Sequence, residues 1–449
     1  MSFRYVDLFA GIGGFHAALG SLGGECVYAV EIDTQAAAVY QRNWGMNPIG
    51  DITIDVSDKR VKIPDHDVLV AGFPCQPFSK SGLQRGMEET RGTLYWSILQ
   101  IIKKRKPPIV LLENVRNLAG PRHEHEWRTI VETLRAQKYR ICDTPAIFSP
   151  HLLPPDSGGR PQFRERVFIA AVRDTSRNAN LVADTPVVNN RPVHGWNPQS
   201  WNLDKHLLLK SIPNIPECKI SDGELLWINA WDDFVVTMRA LKHGERLPGF
   251  PFWVDAWRPK SKLRIPKVMP AWKANILRKN ANFYDEHRVF LDQWIEKWGV
   301  NTDAFPTSRR KFEWQAQDTQ SLWETVMQLR PSGIRAKQAT YLPALVAITQ
   351  TSIIGPRLRR LSPREATRLQ GFPDWFDFSD QPHSATYRQL GNSVNVGAVC
   401  HVFRETVQQN LELLRQTAPA VVSAVEKTPV NPDTTLRKHR THKKTISGK

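Results

Sequence analysis

The first 173 residues alternate between two periods, and that alternation leaves few folds open. Apolar runs rich in β-branched residues (YVDLFA, CVYAVEI, DVLVAGF and IVLLENV) are each followed by a segment with helical spacing. Those segments are FHAALGSLG, TQAAAVYQRNW, LYWSILQIIKKRK and EHEWRTIVETLRAQKY. RICDTPAI and RVFIAAVR read as further strands. Strands that alternate with helices predict parallel βαβ units in an α/β, doubly wound, Rossmann-like sheet. Such a sheet binds ligands at the carboxyl ends of its strands, so function is sought in the loops that follow them.

Near residue 190 the texture changes. Eleven of the fifteen tryptophans fall between Trp196 and Trp323, among prolines and basic residues and without the βαβ rhythm. Most of these tryptophans are expected to be core. The α/β texture resumes near 356, and a Pro/Thr/Lys-rich stretch begins near 418. The expected organisation is a ligand-binding domain over 1–190 and 351–417, a smaller irregular domain over 191–350, and a disordered basic tail over 418–449.

Charge narrows the partners. With 61 Lys and Arg against 44 Asp and Glu, the chain carries a formal +17, an excess that favours a polyanion such as nucleic acid. The five cysteines are scattered, odd in number and without a C-x-x-C pair, which predicts a reducing cytoplasmic setting rather than a zinc cage. No apolar run has membrane-spanning length, and the N-terminus enters a strand at once, so neither a membrane association nor a signal peptide is expected.

Two loops carry the first chemical signals. DLFAGIGGF follows the first strand, and Gly11, Gly13 and Gly14 permit a tight turn and close approach of a ligand to the backbone. Glu31 closes the second strand, where ribose hydroxyls are commonly gripped. Read alone, this fits a dinucleotide, a nucleoside cofactor or plain tight packing. The turn is G-x-G-G rather than G-x-G-x-x-G, which leans toward a cofactor without a pyrophosphate, such as S-adenosylmethionine. In GFPCQPFS, Cys75 stands between two prolines at the mouth of a strand, where a merely structural thiol has no reason to be.

Three more stretches each have a bland reading when taken singly. LLENV ends a buried strand in Glu113, a costly place for a carboxylate. RPQFRERVF sets Gln162, Arg164 and Arg166 at alternate positions, on one face of an entering strand. YRQLGNSV lies close to the end of the globular part. RHEHEW, with His123 and His125, lacks zinc spacing and reads as a solvated helix start.

In this order and spacing the motifs resemble the bacterial C5-cytosine DNA methyltransferases of restriction–modification systems. The resemblance runs over about 1–175 and 356–405, anchored on DLFAGIGGF, Glu31, GDI, GFPCQPFS, ENV, Q-F-R-E-R, LSPREATRLQGFP and GNSV. It implies an AdoMet-binding catalytic domain, a smaller target-recognition domain and DNA between them. It implies that Phe9 and the glycine turn line S-adenosylmethionine, that Glu31 holds its ribose and Asp51 its adenine amine, and that Asn392 completes the pocket. Cys75 is implied to be the nucleophile that adds to C6 of a flipped-out cytosine, with Glu113 its partner on the base. Arg164 and Arg166 are implied to supply positive charge near the base or the phosphates, and Ser79 and Gln162 to contact DNA. The segment SPHLLPPDSGG before Gln162 is longer and richer in proline than the family pattern, so the approach to Arg164 departs from that pattern.

In the second domain, Arg330, Arg335 and Lys337 around Ser332-Gly333 are expected to face DNA. The expected partner is double-stranded DNA, with a cognate restriction endonuclease sharing the recognition sequence and the enzyme itself a monomer near the nucleoid. An RNA cytosine-5 methyltransferase on the same scaffold and an inactive DNA-binding regulator are the alternatives. A dinucleotide oxidoreductase would explain only the first turn.

Overall fold

The structure, a computed structural model, describes residues 2–57, 60–74, 93–346, 351–379 and 381–436. The chain divides into two compact units. One comprises Met1–Leu208, Pro343–Thr349 and Pro363–Lys449, and the other Leu209–Leu342 and Gln350–Ser362.

The first unit is built on a seven-stranded sheet. Its order is β2 (Glu25–Val30), β1 (Arg4–Leu8), β3 (Val68–Gly72), β4 (Ile109–Val115), β8 (Arg166–Arg173) and β5 (Tyr139–Arg140), with β6 (Ala146–Phe148) also paired to β8. The pairings β1–β2, β1–β3 and β3–β4 are parallel, and β8 runs antiparallel to β4. Strand order reverses at β1, so the crevice above β1 and β3 is the topological switch point where such sheets take ligands. Helices follow where the spacing places them: α1 (Gly14–Ser21) and α2 (Thr34–Trp44) after β1 and β2, Leu94–Arg105 after β3, and Glu124–Ala136 after β4. Asp33 caps α2 by accepting the N–H groups of Gln35 and Ala36, and Gly45 ends it in the left-handed region. The core is the two-sided burial of these strands, with Val68, Leu69, Val70 and Ala71 of β3 all fully buried.

The second unit holds a six-stranded sheet around β9 (Phe252–Trp253), β10 (Lys311–Gln315), β11 (Thr325–Arg330) and β12 (Gly333–Gln338), covered by the helices Asp222–Leu241 and Ala271–Trp298. Its core is aromatic. Trp231 stacks on Phe312 and contacts Trp294, and Phe234 stacks on Trp257.

Three boundaries differ from the sequence reading. Residues 191–208 pack into the first unit, because the indoles of Trp196 and Trp201 both donate to the carbonyl of His151. Residues 351–362 complete the second unit instead: Ile353–Ile354 pairs with β11, and Arg360 pairs with Glu224. The expected disorder from 418 does not begin there. Helix Pro419–Lys427 buries Val421, Val422 and Val425, and Asp433 accepts from Arg160 at 2.6 Å. Residues 437–449 lie outside the described part.

Candidate active site

The carboxyl ends of β1 to β4 open into a cavity of about 480 Å³. Backbone conformation shapes its floor. Phe9 leaves β1 with φ 54°, a left-handed conformation that costs a non-glycine residue strain, and its ring lines the cavity. Gly11 follows with φ 54° and open space where a Cβ would stand, so the backbone there presents itself directly to whatever fills the cavity.

Gly13 and Gly14 do different work from the one expected. A Cβ on Gly13 would lie 2.1 Å from the indole nitrogen of Trp44, and one on Gly14 would lie 2.6 Å from Val394. Neither residue lines the cavity. They let α1 pack closely against Trp44 and the 393–394 segment, so of the three glycines only Gly11 faces the ligand space.

The opposite wall is acidic. Glu31 accepts the Gly11 N–H on one carboxylate oxygen and the Asp33 N–H on the other, both at 2.8 Å. It thereby ties the glycine turn to the end of β2. Asp51 begins the short helix Ile52–Asp55 and accepts from the amide and the hydroxyl of Thr53. Asn392, the last residue of helix His383–Asn392, also lines the cavity. Ile32, Asp33 and Arg388 complete this side and were missed in the sequence. Ile32 carried a readable signal, since it is a large apolar side chain directly after the strand-closing acid, and it is 71% exposed. Beneath them Asp7 is fully buried on β1; burial, and then the charge of Glu31, push its pKa well up.

At the deeper end, Glu113 closes β4 and is only 7% exposed. Arg166 Nε lies 3.1 Å from Glu113 Oε1, close enough for an ion pair, but its N–H is not aligned as a hydrogen bond. Burial raises the Glu113 pKa, and the charges of Arg166 and Arg164 oppose that rise without cancelling it. Asn114 donates to the carbonyl of Phe73 at 2.9 Å, which fixes the end of β3 two residues before Cys75. Cys75 itself, Ser79 and the loop to residue 92 lie outside the described residues.

Arg164 is fixed rather than poised. It is buried, and its guanidinium donates to the carbonyls of Leu345 (2.7 Å), Gly391 (2.9 Å) and Ser393 (2.7 Å). Burial and then the neighbouring Arg166 lower its pKa to about 9, which leaves it charged at neutral pH. It lines the cavity as the clasp that holds the segment around Asn392 in place.

Gln162 departs from expectation as well. It sits in the two-residue strand β7 (Gln162–Phe163), fully buried, and so has no surface for DNA in this conformation. The chain breaks between β7 and β8, which is why Gln162, Arg164 and Arg166 do not share one exposed strand face.

Sequence comparison matches this chain to known proteins over almost its whole length. The family model described as C-5 cytosine-specific DNA methylase matches residues 3–408. The chain belongs to the C-5 cytosine-specific DNA methylases. It is 48% identical to the Type II methyltransferase M.AluI of Cellulosimicrobium cellulans, over 92% of this chain and 94% of that one. It is 44% identical to the Type II methyltransferase M.HhaI of Haemophilus parahaemolyticus, over 89% and 92%. With M.NgoBI of Neisseria gonorrhoeae, also a Type II methyltransferase, the identity is 40% over 88% and 90%.

As a DNA (cytosine-5) methyltransferase the chain needs surfaces that meet DNA, and the expected ones are partly occupied. β11 and β12 form a hairpin that turns through Pro331-Ser332, with Gly333 in the left-handed region at its exit. Arg330 and Arg335 both pair with Glu313, at 2.7 and 2.8 Å, and Glu313 is the register partner of Arg335 on β10. One acid thus offsets one of the two charges. Lys337 lies 5.9 Å from the Tyr341 ring, and burial followed by the two arginines lowers its pKa.

Proposed function

We propose that the cavity at the ends of β1 to β4 binds S-adenosylmethionine and that the methyl group is delivered to a cytosine held by covalent attachment to Cys75. The chemistry of the donor set supports this. An open glycine, an apolar ring and two carboxylates suit a nucleoside with hydroxyls and an exocyclic amine. Enzymes of this family use that cofactor, and when bound it supplies an electrophilic methyl group. Phe9 and the exposed Ile32 give apolar surface for its base, Glu31 and Asp51 accept from its hydroxyls and amine, and Asn392 closes the pocket.

The chain's own part follows from the chemistry of the ring. Carbon 5 of cytosine is a poor nucleophile, so the Cys75 thiolate first adds to C6 and makes C5 nucleophilic. A free thiol titrates at about 8.5, and the attacking form is its thiolate. Glu113 faces the same cavity with its pKa raised by burial, the direction that favours sharing a proton with N3 as electron density builds on the ring. Arg166 holds that carboxyl in place. Loss of the C5 proton to a base then expels Cys75 and restores the ring. The target must leave the duplex for any of this to occur. The observation that carries the reading is the convergence of Glu113, Arg166 and the end of β3 on the cavity that Glu31 and Gly11 line.

The Type II relatives extend the reading to a protective role: the enzyme modifies a short duplex sequence that a partner endonuclease would otherwise cut. Sequence reading is assigned to the second unit. The test uses duplex DNA with 5-fluorocytosine at the target, located first by bisulfite sequencing of DNA from cells that express the protein. Fluorine cannot leave C5 as a cation, so a cofactor-dependent adduct that survives denaturing electrophoresis is expected, and it should be lost in Cys75→Ala. Full turnover on the fluorinated site without an adduct would refute covalent attack.

A further inference from the structure

The second unit carries a strongly basic surface that lies outside the hairpin. Between Arg258 and Lys279 the chain has eight lysines and arginines and no aspartate or glutamate. All eight are exposed, and among the described residues none of them forms an ion pair. The contrast with the rest of the unit is sharp. Arg246 pairs with Asp318, Arg310 with Asp255, Lys297 with Asp233, and Arg330 and Arg335 with Glu313. Those cations meet acids brought to them by the fold, whereas the stretch 258–279 contains none of its own.

The segment is also held in shape. The short turn Lys260–Lys262 packs against the helix Ala271–Trp298, and the Lys260 amide donates to Asp285 of that helix at 3.1 Å. Loop cations and helix cations therefore belong to one structure. That helix starts after Pro270, kinks at His287, and has neither a side-chain cap nor an acid in its first turn. Its free N–H groups and the positive end of its dipole add to the same field. Two apolar side chains stand in the middle of it: Val268 is 94% exposed and Trp272 62%. Isolated exposed apolar residues are ordinary, but an exposed indole among unpaired cations is the composition that meets a nucleic-acid backbone, the charges on phosphate and the ring on sugar or base faces.

We propose that residues 258–279 bind the phosphates of duplex DNA outside the recognition sequence and supply affinity without specificity. Lys279 lies 6.0 Å from the Phe250 ring, but among the described residues the heads of Lys260, Lys262, Lys267 and Lys273 have no partner to fix their directions, as base reading would demand, whereas phosphate attraction needs only proximity. The proposal rests on the chain acting on duplex DNA, and methylation by the parent protein reports on that separately.

The test compares the parent with K260Q/K262Q/R264Q/K267Q/K273Q. Affinity is measured by anisotropy over a range of salt concentrations on two duplexes of equal length, with and without the methylated sequence. Each lost phosphate contact flattens the plot of log K against log salt by about 0.9, so a slope shallower by roughly 3 to 4 is expected on both duplexes. The methylated sequence and the cofactor affinity should not change. The milder W272A/K273Q should flatten the slope by about 1, and lysine-to-arginine replacement at Lys260, Lys262, Lys267 and Lys273 should keep the parent slope. An unchanged slope in folded variants would overturn the proposal. So would a loss confined to the specific duplex, or a loss of binding to anionic phosphatidylglycerol vesicles or single-stranded RNA with duplex binding intact.

Discussion

Replacing Arg164 with methionine keeps much of the side-chain volume and removes every donor. Three buried carbonyls, those of Leu345, Gly391 and Ser393, then lose their partner. Hydrogen bonds to a charged group are worth about 1.5–3 kcal/mol each, and an orphaned buried acceptor costs about 1–3 kcal/mol. The guanidinium's own burial is expensive, as its pKa of about 9 shows, and relief of that cost offsets part of the loss. Three orphaned acceptors less the relieved burial cost put the expected destabilisation at about 3–5 kcal/mol. For a unit of this size it corresponds to a fall of roughly 5–8 °C in melting temperature. Calorimetry reads the melting temperature, and titration calorimetry reads S-adenosylmethionine affinity in the same samples. Affinity should fall as well, because two of the three carbonyls flank Asn392. Arg164→Lys should recover part of both effects through its remaining donors. A methionine variant that melts within a degree of the parent and binds cofactor normally would refute the clasp. A variant with normal stability and normal cofactor binding but no turnover would return Arg164 to the catalytic role first expected of it.

Glu113→Gln should slow methyl transfer severely and change its pH dependence, as pre-steady-state rates from pH 6 to 9 would show. It also has a stability signature. The folded-state pKa of Glu113 is raised, so the native state binds the extra proton and stability is lost as pH rises from the ordinary value of 4.5 through the raised one. The glutamine variant should therefore gain on the parent above that window and lose the advantage below it, in urea melts at paired pH values. The glycines separate packing from binding. Gly13→Ala should cost about 2–4 kcal/mol, from overpacking against Trp44 and from its left-handed backbone. Gly11→Ala should cost only about 1–2 kcal/mol of stability and act chiefly on cofactor affinity, and equal thermal losses in the two variants would contradict that division.

What could be read in the sequence was local. β1 to β4 and their helices announce themselves by period, and the helix read from TQAAAVYQRNW and the strand read from IVLLENV match Thr34–Trp44 and Ile109–Val115. Glu31, Asp51, Glu113 and Asn392 were found through motif order and do meet around one cavity. What could not be read depends on pairing between distant parts. Glu313 pairs with both Arg330 and Arg335 only because β10 lies beside β12, and nothing in FEWQ or RPSGIR says so. Gln162 is polar in a polar stretch, and its burial follows from the break between β7 and β8. The strands Ile353–Ile354 and Arg359–Arg360 are two residues long, too short for a period to show, so the end of the second unit went to the first. The tail misled through composition, since its prolines and threonines concealed a valine stripe.

The clasp also sets a clock. Arg164 leaves the ribosome 229 positions ahead of Ser393, its most distant partner, with the whole second unit synthesised between them. At about 5–20 residues per second the interval is on the order of 10–45 s. During it the parallel strands β1, β3 and β4 can already pair, while the guanidinium has none of its three carbonyls until Leu345 is made 181 positions on, and the rim that carries Asn392 comes later still. A nascent chain can thus form the sheet long before it can close the cavity, and the clasp is complete only when about an eighth of the chain remains to be made.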